Sequence, residues 1–223
     1  MKITKLDSPY PAVAIDDFIP STALLRAAAE SFKDVKQEHW VKYGGEESLQ
    51  LASKDDRNYI PTPALMVLDY IATHFDPNKV FDNLTDNVFP DTSYYAGGMN
   101  LLPNSNGEGG FLGMHIDTDI HGVNGVWKRE YSAVLCVSEE YDSSFDLLLH
   151  DGVDKHARAP YKFNRLNAFK CSKNSWHGVP EIITEGLDRL TFVVPYWSYV
   201  GKQDTQNFRS KSKFRYDLEF IKN

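Results

Sequence analysis

The stretch at residues 113–118, Gly-Met-His-Ile-Asp-Thr, decides how the rest of the chain is interpreted. His115 and Asp117 are two residues apart, so on a β-strand their side chains point to the same face. A later histidine, His177, stands in the sequence Ser-Trp-His-Gly. Two imidazoles and one carboxylate leave three positions of an octahedral metal open. This ligand set predicts a non-haem Fe(II) centre that also holds a cosubstrate and dioxygen.

The length and composition of the chain are those of one globular domain. It has 223 residues, of which 42% are hydrophobic, and this is enough to bury a sizeable core. We predict a single domain over 1–223, with helical support at 1–87, a β core at 88–200 and a C-terminal extension at 201–223.

The charge pattern argues against nucleic acid as a partner. The formal net charge is −7, and the part of the sequence assigned to the domain core has no dense run of Lys and Arg, which phosphate binding requires. We expect a small basic group near the C-terminus to be a solvated tail. Its members are Arg209, Lys211, Lys213 and Arg215.

The sequence predicts a cytoplasmic protein without a membrane segment. No apolar run approaches the roughly 20 residues that span a bilayer, and the N-terminus lacks the apolar region of a signal peptide. The two cysteines, Cys136 and Cys171, lie in apolar, strand-like segments. We interpret them as buried free thiols in a reducing compartment.

The order of secondary structure predicts an α+β fold that is mainly β. Ala- and Leu-rich segments predict helices at 22–35 and 62–74, and the polar segment 36–58 predicts a long loop, either a lid or an inert surface loop. From Val88 onward, short apolar segments alternate with turn residues, which is typical of a jelly roll with helices packed on it. The predicted strands are 92–95, 99–102, 111–117, 131–137, 145–150, 166–170, 177–183 and 190–196.

A hairpin after His177 is expected to bring the metal site next to an arginine. With a turn at 184–186, His177 lies opposite Val193, and Arg189 and Thr191 share its face. A guanidinium and a hydroxyl further along the same inward-facing surface suit a diacid. Such a diacid would chelate the metal at one end and bind Arg189 at the other. The alternative partner for Arg189 is Glu181, across the predicted hairpin.

Five short motifs together resemble the Fe(II)- and 2-oxoglutarate-dependent oxygenases, and most of all their prolyl-4-hydroxylase-like branch. They are Tyr95-Ala-Gly-Gly98, His115-Ile-Asp117, Arg129-Glu-Tyr-Ser132, His177-Gly-Val179 and Arg189-Leu-Thr191. The resemblance implies a double-stranded β-helix (the jelly-roll or cupin-like core) with iron bound by His115, Asp117 and His177. It further implies that 2-oxoglutarate binds Arg189 and Thr191, with Tyr95 and Ser132 as further cosubstrate contacts.

The sequence departs from the family pattern at two places. Cys136 stands where the family has a tyrosine, which removes one possible hydrogen bond to the cosubstrate. Residues 144–147, Ser-Phe-Asp-Leu, replace the usual Gly-Gly-Glu-Leu turn. The long segment between Asp117 and Arg129 is a candidate for substrate contact. Its members Asp119 and His121 are expected to be loop residues rather than metal ligands.

The resemblance implies a dioxygenase that hydroxylates a C–H bond and releases succinate and CO2. Its substrate is a small molecule or a peptidyl side chain. Asp117 favours hydroxylation, because the related halogenases carry a small residue in place of this carboxylate. Two alternatives remain. One is a cupin-like metal-binding isomerase or sugar-binding barrel, which has no use for Arg189 and Thr191. The other is a metal-free β-sandwich binding module.

Overall fold

The structure is a computed structural model that describes most of the chain: residues 2–43, 49–53, 57–81, 87–94, 96–105, 107, 109–118, 120–121, 127–201, 211–215 and 217–218. The helices are α1 (Thr22–Glu30), α2 (Thr62–His74) and α3 (Pro77–Val80). The strands are β1 (Lys2–Leu6), β2 (Ala12–Asp16), β3 (Trp40–Tyr43), β4 (Gln50–Ser53), β5 (Val88–Pro90), β6 (Gly98–Leu102), β7 (Leu112–Ile116), β8 (Ile120–His121), β9 (Trp127–Cys136), β10 (Leu147–His150), β11 (His156–Ala159), β12 (Leu166–Lys170), β13 (Trp176–Val179), β14 (Arg189–Tyr199) and β15 (Lys213–Phe214).

Two antiparallel sheets pack face to face. The larger sheet has the order β1-β2-β12-β9-β14-β6-β4-β3, with β5 also paired to β14 and β8 to β9. The smaller sheet has the order β11-β10-β13-β7-β15. Apolar residues of both sheets meet in one buried cluster, which includes Leu102, Val134 and Phe169 from the larger sheet and Leu149 and Val179 from the smaller. The space between the sheets, here called the hollow, is the place for a ligand in such a sandwich.

The helices cover the outer face of the larger sheet. Ser21 caps α1 by accepting a hydrogen bond from the backbone N–H of Leu24 at 3.2 Å. The buried side of α2 presents Leu68 and Ile71 to the larger sheet, where they join a second apolar cluster. The two packed sheets and the helices on the larger one together give the mainly β, α+β architecture that the sequence predicts. No helix in the described part of the chain combines the length and apolar character needed to cross a membrane.

The predicted hairpin between His177 and Arg189 is wrong. The turn exists, because the N–H of Leu187 bonds to the carbonyl of Thr184 and Gly186 has φ of 84°. However, β13 ends at Val179 and pairs with β10 and β7, whereas β14 pairs with β6, β9 and β5. The connection crosses from one sheet to the other. Ladder partners are a long-range property that local periodicity does not encode.

Three other expectations also need correction. The strand predicted at 92–95 is absent over 92–94, because the carboxylate of Asp91 accepts hydrogen bonds from the N–H groups of Ser93, Tyr94 and Ala96 and folds the backbone into a turn. The segment 36–58 is more than a loop, since it contains the β3–β4 hairpin. The C-terminal basic group is not simply a solvated tail: Lys213 belongs to β15, which pairs with β7.

Candidate metal centre and cosubstrate pocket

The three predicted ligands meet on the smaller sheet. His115 on β7 lies directly opposite His177 on the neighbouring strand β13, and Asp117 follows one residue after the end of β7. One donor atom from each side chain lies within 4.8 Å of the others. In the described part of the chain, no other group of His, Cys, Asp or Glu donors meets this condition. The structure thus brings His115, Asp117 and His177 together, and their role as metal ligands stays a prediction.

Both imidazoles are turned so that they can bind a metal. The Nδ1 atom of His115 lies 2.9 Å from the carbonyl oxygen of Gly113, and the Nδ1 atom of His177 lies 3.0 Å from that of Ser175. A carbonyl oxygen only accepts hydrogen bonds, so each Nδ1 carries the proton and each Nε2 keeps its lone pair. Burial, together with nearby His115, lowers the pKa of His177 to about 4. His177 is therefore neutral at physiological pH.

The carboxylate of Asp117 is held by two donors on the larger sheet. Its Oδ2 atom lies 3.1 Å from Nη1 of Arg129 and accepts a hydrogen bond from Oγ of Ser132, also at 3.1 Å. Oδ1 lies 3.6 Å from Nε2 of His115, and Oδ2 lies 3.7 Å from Nε2 of His177. Burial alone would raise the pKa of Asp117, but Arg129 and His177 hold it well below its usual range. The ligand set therefore combines one carboxylate anion with two imidazoles, of which His177 is neutral.

A β-bulge explains how Arg129 and Ser132 reach the same carboxylate. Residues three apart on a regular strand point to opposite faces. The ladder between β9 and β14 shifts register here: Tyr131 lies opposite Tyr196, but Arg129 lies opposite Trp197. One residue, Glu130, is thus extra on β9. Such bulges re-aim side chains and are frequent beside active sites.

Arg189 projects from β14 into the same hollow, and no carboxylate of the described residues lies within ion-pair distance of it. Its Nε donates a hydrogen bond to the carbonyl oxygen of Phe145 at 2.8 Å, and its guanidinium lies over the ring of Tyr161 at 5.4 Å. Among the described residues it forms no ion pair, because Glu181 is exposed and lies against Gly109 instead. Burial lowers the pKa of Arg189. A buried guanidinium without a carboxylate is a site for an anionic ligand.

A hydroxyl, a thiol and a phenol line the pocket wall beside Arg189. Thr191 is buried and lies opposite Cys136 in the ladder. Burial raises the pKa of the Cys136 thiol to about 11, so it stays protonated. The hydroxyl of Tyr161 donates to the carbonyl of Leu190 and accepts from the N–H groups of Val137 and Ser138, so it is not free to bind a ligand. Arg189 is thus the cationic group of this wall, and the nearby carboxylate of Asp146 is engaged by the N–H of Tyr161 and lies 3.5 Å from Nη1 of Arg158.

The remaining predicted site residues divide into two groups. Ser132 lies in the hollow, but its described contact is with Asp117, and its role toward a cosubstrate stays a prediction. Tyr95 and Asp119 lie outside the described residues, as does the side chain of His121. Sequence reasoning used Arg129 only as part of a motif and did not place it on Asp117. The register shift that places it there has no signature in local sequence.

Comparisons with known proteins agree with this fold. No protein-family model matches the chain, and no curated protein matches it. The structure is similar to the crystal structure of a prolyl-4-hydroxylase from Pseudomonas putida, with a TM-score of 0.58 and 16% identity, over 83% of this chain and 91% of that one.

Two further solved structures give the same result. One is a prolyl hydroxylase from Trichoplax adhaerens in complex with a hypoxia-inducible-factor peptide fragment, with a TM-score of 0.54 and 12% identity over 88% of this chain and 86% of that one. The other is HygX from Streptomyces hygroscopicus with nickel and 2-oxoglutarate bound, with a TM-score of 0.54 and 10% identity over 83% of this chain and 82% of that one. At these identities the similarity establishes the fold. The chain has the double-stranded β-helix that the resemblance implies.

Proposed function

We propose that the protein is an Fe(II)- and 2-oxoglutarate-dependent dioxygenase. The observation that carries this proposal is the pair of complementary features in one hollow. A buried set of two imidazoles and one carboxylate lies on one sheet, and a buried arginine without an acidic partner among the described residues lies on the other. The first suits a divalent metal with open positions, and the second suits the far carboxylate of a diacid.

The donor set fits a catalytic iron site better than it fits a structural zinc site. A structural zinc site is closed by four protein ligands, usually including thiolates. Here the three donors are nitrogen and oxygen, and the nearest thiol, Cys171, stays protonated because burial raises its pKa to about 12. His115, Asp117 and His177 would hold the metal, and with 2-oxoglutarate it supplies the oxidising chemistry, releasing succinate and CO2.

The other residues bind and orient. Arg129 and Ser132 hold the carboxylate of Asp117, and Arg189 with Thr191 would bind the far carboxylate of 2-oxoglutarate. The guanidinium of Arg189 packs over the aromatic ring of Tyr161. A cupin-like barrel without 2-oxoglutarate leaves the buried charge of Arg189 unexplained, which is why we place it second.

The substrate is proposed only as a class: a small molecule or a peptidyl side chain. This class is supported by the molecules named in the complexes of two structural neighbours, a peptide fragment bound to the prolyl hydroxylase from Trichoplax adhaerens and hygromycin B bound to HygX. Hydroxylation is the proposed reaction. Asp117 supports it, since a carboxylate in this position occupies the place where a halide would otherwise bind in the related halogenases.

The test is the formation of succinate by the purified protein in air with Fe(II) and 2-oxoglutarate, because slow turnover without substrate is expected. Removing iron with a chelator should abolish succinate, and adding it back should restore it. His177→Ala should lose both metal binding and succinate formation. The matched control is His74→Ala, an exposed histidine on α2, which should behave as wild type. Metal content unchanged in His177→Ala would contradict the ligand assignment.

A further inference from the structure

The C-terminal segment 211–215, here called the C-terminal strand segment, lies along the strand that carries His115. Lys213 pairs with Ile116 and Phe214 with His115, and the N–H of Arg215 donates to the carbonyl of Met114 at 3.0 Å. Without this segment, β7 would be an open edge of the smaller sheet. The C-terminal strand segment lies nearly 100 residues later in the sequence than β7 and thus supplies hydrogen-bond partners to its free edge.

The segment is anchored at several points away from the metal ligands. Nη1 of Arg215 donates a hydrogen bond to the carbonyl of Gly152 at 2.7 Å. The cationic groups of Lys213 and Arg215 lie 5.8 Å and 5.3 Å from the ring centre of Trp176. Leu218 packs against the outer apolar cluster of the smaller sheet. These contacts fix the position from which Phe214 meets His115.

Aromatic rings enclose His115 on three sides. The ring of Phe214 stacks on the imidazole at 5.2 Å with an interplanar angle of 22°. The ring of Tyr43, from β3, meets it edge-on at 6.4 Å, and the ring of His177 lies 4.2 Å away. The hydroxyls of Tyr43 and Ser212 lie 2.6 Å apart and join the two chain segments that supply the enclosing rings.

We propose that Phe214 is a positioning residue for the metal ligand His115, and that the C-terminal strand segment is part of the metal centre. The inference rests on the proposed metal-binding function. Within the described part of the chain, the imidazole of His115 has one orienting hydrogen bond, to the carbonyl of Gly113. A single bond leaves the tilt of the ring to be set by packing. The stacked Phe214 ring sets that tilt and keeps Nε2 aimed at the metal position. Outer contacts of this kind change metal affinity by about 10- to 100-fold when removed.

The experiment is a titration of the metal-free protein with Mn(II), in which free Mn(II) is counted by electron paramagnetic resonance. Phe214→Ala should raise the Kd for Mn(II) about 10-fold or more. Phe214→Tyr keeps the ring and should stay within about twofold of wild type. Phe214→Leu keeps the apolar volume but not the ring, and should resemble Phe214→Ala. The matched control Leu218→Ala removes an apolar contact of the same chain end without touching His115, so its Kd should not change.

Unfolding of the metal-free variants in urea separates positioning from simple structural support. A structural role predicts that Phe214→Ala and Leu218→Ala lose stability alike while their Mn(II) affinity stays at the wild-type value, and this result would overturn the inference. If Phe214→Ala does not fold, the comparison of Phe214→Leu with Phe214→Tyr decides the question. His115→Ala is the reference: if it binds Mn(II) as wild type does, or if the wild type binds none, the proposed function fails. If His115→Ala loses Mn(II) and the Phe214 variants do not, only the present inference fails.

Discussion

Arg129 and Arg189 are equally buried arginines on adjacent strands, yet they stand in opposite electrostatic situations. Their exposed fractions are 5% and 4%. Arg129 faces the carboxylate of Asp117 at 3.1 Å, and although burial alone would lower its pKa, Asp117 raises it. Arg189 faces a protonated thiol and a tyrosine ring, and burial lowers its pKa. The charge of Arg129 is paired with a carboxylate of the chain. The charge of Arg189 has no such pair among the described residues, and we propose that a ligand supplies it.

The difference teaches how to distinguish a structural arginine from a binding one. Burial costs each guanidinium a similar loss of hydration, so the partner decides the outcome. At the metal end of the hollow, the cation and the anion are both supplied by the chain. At the other end, the described residues place no carboxylate within ion-pair distance of the cation, because Asp146, which acts on Arg189 at longer range, lies 3.5 Å from Nη1 of Arg158. The second end is therefore suited to an anionic ligand, such as the far carboxylate of the proposed 2-oxoglutarate.

The largest expected effect is on stability, at Arg129. Arg129→Leu leaves the buried carboxylate of Asp117 without its cation and should cost about 3–5 kcal/mol of unfolding free energy. Arg189→Leu removes an unpaired buried charge and should be neutral or stabilising in the absence of ligand. Urea unfolding of the metal-free proteins measures both. Equal losses in the two variants would mean that Arg189 has a partner in the folded chain.

A smaller effect is expected at Arg189, on cosubstrate binding rather than on stability. Arg189→Ala should raise the apparent KM for 2-oxoglutarate about 10- to 100-fold, because a charge-assisted hydrogen bond is worth roughly 1.5–3 kcal/mol. The Kd for metal should stay near wild type, since Arg189 lies on the other sheet. Arg189→Lys should recover part of the loss, as a point charge replaces a fork. An unchanged KM in a folded, metal-binding Arg189→Ala protein would remove the cosubstrate assignment.

The smallest of the three effects is a pH dependence of the unfolding free energy. It is expected from His177, at the metal end of the hollow, and not from the end that contains Arg189. The pKa of His177 falls from an ordinary value near 6.5 to about 4 on folding, so the unfolded chain binds the proton more readily. Its stabilising contribution is complete above about pH 6.5 and is lost as the pH falls toward 4. Metal-free protein should lose about 2 kcal/mol between pH 7.5 and pH 5.

Unfolding curves across this pH range measure the effect. His177→Gln should flatten the dependence, because it removes the titrating group. Arg189→Leu should keep the wild-type dependence, because neither the guanidinium of Arg189 nor the neighbouring thiol of Cys136, with its pKa of about 11, titrates in this window. A steep dependence retained in His177→Gln would assign it to a different residue.

The sequence predicts what depends on short-range order. The pair His115 and Asp117 shares a face because the side-chain period of a strand is two, and the helix at Thr62–His74 follows from its apolar stripe. The free, buried state of Cys136 and Cys171 also follows from their apolar surroundings. These features need no knowledge of which strand lies next to which.

The features that the sequence does not predict depend on pairing between distant segments. Arg189 does enter the hollow, but from the sheet opposite His177 rather than from a hairpin partner. The contact of Arg129 with Asp117 requires a bulge at Glu130, which appears only when β9 is paired with β14. Phe214 has no motif around it, and its position on His115 comes from ladder pairing with β7.

The direct pairing of β7 with β13 has a mechanical consequence. His115 and His177 are far apart along the chain, so one metal bound by both ties the two ends of a long internal loop together. For a covalent link closing a loop of roughly 60 residues, the restriction of the unfolded chain amounts to between about 3 and 4.7 kcal/mol. A metal staple of this kind acts in the same direction, because the unfolded chain offers no preformed site. If the proposed metal binds there, the metal-free protein is expected to unfold more readily than the metal-bound protein.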